Sequence, residues 1–254
     1  MSIDIHQFAC RTDNFGVLIK GSKGTVALID APEEAAIIAA VARTGWTPSH
    51  IFTTHHHPDH VEANLALKER YGLKIVGPRD EAAKIPGLDE AVGDGDAFEF
   101  DGEPVKVIGT PGHTAGHISY HLPDSRVAFT GDTLFALGCG RLLEAGPEVM
   151  FNSLSKLAAL PPETVVYCGH EYTLANARFA LSVDPENAAL AARLNVIEKL
   201  RAGNHATLPT TIGEELGANP FLRWGDESIR RRLGMENAKD WEVFAEIRKR
   251  KDSA

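Results

Sequence analysis

Cysteine is scarce in this sequence: Cys10, Cys139 and Cys168 are the only three in 254 residues. An odd, widely scattered set builds neither a disulfide framework nor a thiolate zinc module. Basic charge is also short, with 26 Lys and Arg against 35 Asp and Glu and a formal net charge of −9. A surface for nucleic acid draws on a basic excess, so no nucleic-acid partner is expected. Long hydrophobic runs are missing too. Nothing approaches the roughly 18 uninterrupted apolar residues of a membrane span. Asp4, Arg11 and Asp13 break the apolar run that a signal peptide needs. There is no phosphate-binding G-x-x-x-x-G-K-[ST] loop, no G-x-G-x-x-G turn and no G-x-S-x-G nucleophile elbow. With 43% hydrophobic residues, the expectation is a globular, cytoplasmic chain that needs no membrane.

What is present falls into two stretches. Up to about residue 173, short apolar runs alternate with helical patterns. Phe15–Lys20 and Thr25–Asp30 read as strands joined by the Gly-bounded turn Gly21-Ser22-Lys23-Gly24, a hairpin signature. A helix follows from Pro32 to Gly45, with Pro at its first turn and Gly past its last. Further strands are expected at His50–Thr53, Lys74–Val76, Val105–Ile108, His117–Leu122, Arg126–Phe129 and Thr164–Tyr167, and a helix over Val61–Tyr71. From Leu174 helical patterns take over. Leu190, Leu194, Ile197 and Leu200 form one apolar stripe, Thr211 and Glu214 fit a capping box, and Asp240 precedes a last helix carrying Val243, Phe244 and Ile247. The expected organisation is therefore a mixed sheet-and-helix domain over 1–173 and a helical one over 174–254, an α+β fold.

The chemistry concentrates in Thr54-His55-His56-His57-Pro58-Asp59-His60. This run follows a strand and precedes a helix, where a loop at a strand's C-terminal end can carry a site. In extended chain, residues two apart point the same way, so His55 and His57 can reach one ion while His56 points elsewhere. Past Pro58 the chain turns, and Asp59 and His60 can face a second ion nearby. Three later strands also end in a glycine beside a ligand type: Gly112-His113, Gly131-Asp132 and Gly169-His170. Nitrogen and carboxylate donors suit zinc, iron or manganese, and the lack of thiolates excludes a closed structural zinc site. Asp30, at a strand end before Pro32, reads as a helix cap rather than a ligand. His117 and His121 read as structural or surface groups, as do His6, His50 and His205. Cys139 and Cys168 read as packed thiols.

Thr54 to His60 resembles the T-H-x-H-x-D-H signature of the metallo-β-lactamase superfamily, and His113, Asp132 and His170 match its remaining ligand positions in order. The resemblance implies a four-layer αββα sandwich with two divalent metal ions. His55, His57 and His113 would hold one ion, Asp59, His60 and His170 the other, and Asp132 would bridge them. Three further segments are similar to glyoxalase II, the hydroxyacylglutathione hydrolase family. They are Gly131-Asp132-Thr133-Leu134-Phe135 with Gly138-Cys139-Gly140-Arg141, then Cys168-Gly169-His170-Glu171-Tyr172-Thr173, and the helical part with Asn219-Pro220-Phe221-Leu222-Arg223 and Arg248 to Asp252.

That family implies hydrolysis of an S-(2-hydroxyacyl)glutathione, such as S-D-lactoylglutathione, by a hydroxide shared between the metals, with Asp59 steering its proton. It also implies substrate contacts from Arg141 and Tyr172, a C-terminal glutathione-binding domain, zinc as the usual metal and a monomer. Arg248 and Lys251, three apart on the last helix, share a face and can clamp a carboxylate. The sequence departs from the family where Leu143 replaces an aromatic, where one extra residue precedes Gly146, and where Ser253-Ala254 replaces a terminal aromatic. All three departures lie on the glutathione side. The competing readings are a mononuclear-iron glutathione persulfide dioxygenase and another hydrolase of the same superfamily, a lactonase or nuclease.

Overall fold

The computed structural model describes residues 3–254. The chain forms two compact units, one of residues 1–109 and 114–131, the other of residues 110–113 and 132–254. The first contains β1 (Asp4–Cys10), β2 (Asn14–Lys20), β3 (Val26–Ile29), α1 (Glu34–Thr44), β4 (His50–Phe52), α2 (Pro58–Val61), α3 (Asn64–Tyr71), β5 (Lys74–Pro78), a 3₁₀ turn (Arg79–Lys84), β6 (Glu90–Val92), β7 (Ala97–Phe100), β8 (Glu103–Gly109), β9 (Ile118–Leu122) and β10 (Val127–Gly131).

Strands β1 to β6 form one sheet in chain order. The expected hairpin is there: β2 and β3 are antiparallel, with Val17 opposite Ile29 and Lys20 opposite Val26. β3, β4 and β5 then run parallel, which explains why Val26–Ile29 is apolar throughout, since it is buried on both faces. Leu18, Leu28, Ile51 and Ile75 pack with Ile37 of α1 and Leu67 of α3 in one core cluster, each such side chain contributing about 1.5–3 kcal/mol relative to exposure. β7 to β10 form an antiparallel meander. Aromatic rings join the two sheets of this unit: Phe52 of β4 meets Tyr120 of β9 at 5.5 Å and Phe98 of β7 at 5.1 Å. The Tyr120 hydroxyl donates to the Thr53 carbonyl at 2.7 Å. That bond fixes the end of β4, from which the His-rich loop departs.

Two local expectations change. The helix read over Val61–Tyr71 is two helices, because the Ala63 N–H is drawn to the Ala31 carbonyl at 3.1 Å and breaks the run. Asp30 is not a helix cap. It stands at φ 55, while the residue flanking α1 is Glu33, without a side-chain cap.

The second unit contains β11 (Leu134–Phe135), β12 (Gly138–Cys139), α4 (Pro147–Ala158), β13 (Val165–Cys168), α5 (Thr173–Val183), α6 (Ala188–Ala202), β14 (Thr210–Thr211), α7 (Ile212–Ala218), α8 (Glu227–Leu233) and α9 (Asp240–Asp252). The apolar stripe packs as its spacing predicts: Leu190 and Ile197 are buried with Ala177 and Ala180, and Leu194 lies against them. The capping box closes α7, with Glu214 N–H donating to Thr211 Oγ1 at 3.2 Å and Thr211 N–H to the Glu214 carboxylate at 3.1 Å. Buried side chains also pin the β11–β12 hairpin. Glu215 accepts from Leu137 N–H at 2.7 Å, Asn219 donates to the Gly138 carbonyl at 3.0 Å, and Asn176 donates to the Ala136 carbonyl at 3.1 Å. Among the described residues, no helix is long and apolar enough to cross a membrane.

Candidate metal centre

The first unit supplies four of the expected ligands: His55, His57, Asp59 and His60. His55 and His60 are buried, and the loop that carries them is fastened from beneath. The buried Asp30 carboxylate accepts from Thr54 N–H at 2.7 Å, from Thr54 Oγ1 at 2.9 Å and from His60 Nδ1 at 2.8 Å. With its hydroxyl proton given to Asp30, Thr54 Oγ1 accepts from His55 Nδ1 at 3.0 Å. Both rings thereby carry their proton on Nδ1 and turn Nε2 toward the site, the way a protein sets the tautomer of a metal-binding imidazole. His55 and His57 bring ring nitrogens within 4.8 Å of each other, and so do His55 and His60. Asp59 is steadied by Asn14, whose amide donates to its carboxylate at 3.0 Å and its carbonyl at 3.2 Å. The left-handed backbone of Asp30 is a conformation that non-glycine residues rarely adopt, and it holds the carboxylate where these three donors converge.

The second unit supplies His113, Asp132 and His170, all buried. Nε2 of His113 lies 3.4 Å from the Asp132 carboxylate and Nε2 of His170 lies 3.3 Å from the same oxygen. His113 Nδ1 donates to the Arg141 carbonyl at 3.0 Å, so its other nitrogen again faces the carboxylate. Gly112, at φ +148, brings His113 past Met150, whose Cε is 2.8 Å from where a Cβ would stand. A Cβ on Gly140 would meet the Asp132 carbonyl at 2.0 Å, so the hairpin closes over the ligand's own backbone only because no side chain is there.

The donor set fits hard or borderline divalent metals. It consists of imidazole nitrogens and carboxylate oxygens, with Nδ1 of His55, His60 and His113 each engaged by an oxygen partner. The thiols stay outside it. Burial pushes Cys139 up to about 11 and Cys168 up to about 12, so both are neutral at physiological pH.

The residues expected at the substrate end all belong to the second unit. The Tyr172 ring stacks on His170 at 4.7 Å with 3° between the planes and is 37% exposed. Arg141 is exposed on the loop after β12. Arg248 is only 4% exposed. Its Nη1 donates to the Cys139 carbonyl at 2.9 Å, its Nη2 reaches Asp252 at 2.8 Å, and its guanidinium lies over Phe221. Lys251 is half-buried over Phe179. Burial first, then the charges of Arg248 and Arg141, hold its ammonium below the ordinary lysine value.

Asp30, Asn14 and Glu81 were not singled out as site residues from sequence, and His117 was read as structural or surface. His117 is fully buried and stacks on His55 at 4.9 Å. Asp30 stands where an apolar strand ends but has no glycine beside it, so the pattern that marks His113, Asp132 and His170 does not mark it.

Two family models cover the chain: the metallo-beta-lactamase superfamily over residues 14–170 and the hydroxyacylglutathione hydrolase C-terminus over residues 171–254. The chain is 68% identical to a hydroxyacylglutathione hydrolase of Mesorhizobium japonicum, with 100% of both chains covered. The chain belongs to the hydroxyacylglutathione hydrolase family. It is an enzyme of that family, and its α+β fold is the metallo-β-lactamase sandwich with a helical C-terminal region. Among solved structures it is similar to ETHE1 from Myxococcus xanthus, at 26% identity and a TM-score of 0.69 over 97% of this chain and 90% of that one. It is also similar to a protein determined in a di-iron-bound form, at 27% identity and a TM-score of 0.63 over 85% of this chain and 100% of that one. Full-length identity at this level to the hydroxyacylglutathione hydrolase family does not favour the dioxygenase, lactonase or nuclease alternatives.

Proposed function

We propose that the protein hydrolyses S-(2-hydroxyacyl)glutathione thioesters, S-D-lactoylglutathione above all, releasing glutathione and D-lactate as the last step of methylglyoxal detoxification in the cytoplasm. The observation that carries this reading is the held tautomer of three histidines, each with Nδ1 on an oxygen partner, in a chain that follows its family from end to end. His55, His57 and His113 would hold one divalent ion, Asp59, His60 and His170 the other, with Asp132 shared. When bound, two such ions, zinc first, supply water activation at neutral pH and electrostatic stabilisation of charge developing on the thioester oxygen.

The chain's own residues supply the rest. Asp59, steadied by Asn14, takes and passes the proton of the attacking water at its carboxylate. Tyr172 presents a flat face beside His170 for the thioester arm. Arg141, Arg248 and Lys251 offer cationic donors to the carboxylates of glutathione. The departing thiol has an ordinary value near 8.5, so it leaves as thiolate without a dedicated acid. Residues 1–173 would thus carry the metals and 174–254 recognise glutathione, a division supported by the family match from residue 171, in a protein acting as a monomer.

The test is metal analysis of the purified protein joined to thiol release from S-D-lactoylglutathione. Two ions per chain are expected, with turnover lost on chelation and restored by added metal. A single iron per chain with oxygen uptake, or a fully loaded protein that leaves the thioester intact, overturns the proposal.

A further inference from the structure

Between the candidate ligands His55 and His57, the backbone of His56 is held by a residue far away in sequence. Glu81 sits in the 3₁₀ turn after β5 and is 3% exposed. One of its carboxylate oxygens accepts from His56 N–H at 2.8 Å and faces His56 Nδ1 at 2.8 Å. The other accepts from Gly116 N–H at 2.9 Å. A carboxylate this deeply buried is stable only with such donors. One oxygen thus holds the His-rich loop at His56 and the other the loop 114–117 at Gly116.

The contacts around Gly116 show that the approach is close. A Cβ there would lie 2.7 Å from Glu81 Cγ and 2.9 Å from Asp80 Cβ, so the loop passes the glutamate at a distance that only glycine permits. The residue after Gly116 is His117, whose ring stacks on His55 at 4.9 Å. Glu81 therefore acts on His55 from two directions. It fixes the peptide that follows His55, and it fixes the loop that carries the ring lying against it. The alternation that points His55 and His57 the same way depends on the dihedrals of His56, and the Glu81 carboxylate holds that residue by its N–H and its ring together.

We propose that Glu81 is a positioning residue of the metal centre, setting the spacing of His55 and His57 through His56 and Gly116 and thereby the affinity for metal. This inference rests on the metal-dependent reading above. Its direct measure is metal binding, which is read separately from thioester cleavage.

The experiment compares wild-type protein with Glu81→Gln, which keeps size and burial but turns an amide donor toward one of the N–H groups. Zinc affinity is measured by competition with a chromophoric chelator, alongside far-UV circular dichroism and kinetics with S-D-lactoylglutathione. With the fold retained, zinc affinity falls about 10- to 100-fold, the range for residues that orient metal ligands. kcat falls at limiting zinc and recovers in excess zinc, while KM stays within about twofold of wild type, since no substrate contact is touched. Zinc affinity within twofold of wild type in a folded Glu81→Gln protein overturns the inference. So does lowered thermal stability with unchanged affinity, which would make Glu81 structural only. Should Glu81→Gln not fold, His56→Ala carries the test: it removes the ring contact and keeps the backbone bond, so affinity falls about threefold or more, and an unchanged value again overturns the inference. A wild-type protein that binds two zinc ions without cleaving the thioester would sink the substrate assignment and leave the Glu81 measurement standing.

Discussion

Between Thr54 and His60, Nδ1 of His55 meets Thr54 Oγ1, Nδ1 of His56 meets Glu81 and Nδ1 of His60 meets Asp30, and both carboxylates are buried and tied to backbone, Asp30 to Thr54 and Glu81 to Gly116. At the end of α9 the arrangement differs. Arg248 is buried and gives three of its five N–H donors to Cys139 and Asp252, whereas Lys251 lies half-buried beside two other cations that oppose its charge. The first region is over-determined, so its geometry survives most substitutions outside it and fails when one of its carboxylates is lost. The second gathers several cations, and burial and the charges of Arg248 and Arg141 both lower Lys251. On the proposed reading the former serves metal binding and the latter recognition of a flexible tripeptide. Of the departures from the family pattern, Ser253-Ala254 directly follows α9 and Leu143 lies on the loop after β12.

The contrast can be broken most sharply at Asp132. Asp132→Ala removes the carboxylate next to which both His113 and His170 lie. Electrostatic stabilisation by metals amounts to several kcal/mol, so kcat/KM for S-D-lactoylglutathione should fall by about a thousandfold or more, with metal content per chain halved or worse by elemental analysis. An Asp132→Ala protein that keeps both ions and a tenth of its activity would refute the shared-ligand role. A smaller loss is expected from Asp30→Asn. The new amide meets the Nδ1 proton of His60 donor against donor, the ring must change tautomer, and Nε2 ceases to be a ligand. Zinc affinity should drop about 10- to 100-fold with the fold intact, as measured by chelator competition.

The C-terminal pair should separate under mutation. Arg248→Ala strands the buried Cys139 carbonyl at a cost of about 1–3 kcal/mol, lowering Tm by about 2 to 10 °C in a thermal scan. Lys251→Ala should leave Tm within a degree or two and raise KM with kcat nearly unchanged, the pattern of uniform binding. Equal effects of the two on Tm would erase the distinction between them. The smallest effect is one of pH. Lys251 binds a carboxylate only as a cation, and its value is lowered in the free protein from 10.5, by burial first and then by Arg248 and Arg141. As pH rises through that lowered value the charge is lost, so KM should begin to climb below pH 10.5. Arg141→Gln removes one opposing cation and should move the climb to higher pH, whatever it does to KM itself. A climb that does not move would take Arg141 out of the electrostatics of Lys251.

The seven candidate ligands could be read from sequence because each stands in a short local pattern: a fixed spacing from His55 to His60, and a glycine before His113, Asp132 and His170. The parallel core strands were legible from unbroken apolar runs such as Val26–Ile29. What escaped was long-range. Asp30 reaches Thr54 and His60, 24 and 30 residues on, and Glu81 reaches back 25 residues to His56 and forward 35 to Gly116. No periodicity marks such partners. β1 escaped for another reason: Asp4–Cys10 buries only Phe8 and Cys10, so its alternation is too weak to see. The burial of Arg248 is long-range as well. The spacing to Lys251 does not show that its guanidinium is buried over Phe221, a ring 27 positions earlier.

The closeness of Gly140 to the Asp132 carbonyl carries a consequence for variation. Position 140 has no functional group to lose and its backbone is not in a left-handed conformation, yet even alanine there displaces the peptide of a ligand. In a library of every single substitution selected for growth under methylglyoxal, this residue should tolerate as little as the aspartate it shelters. An intolerant glycine there would report on crowding around a neighbour's oxygen, and nothing about its own chemistry.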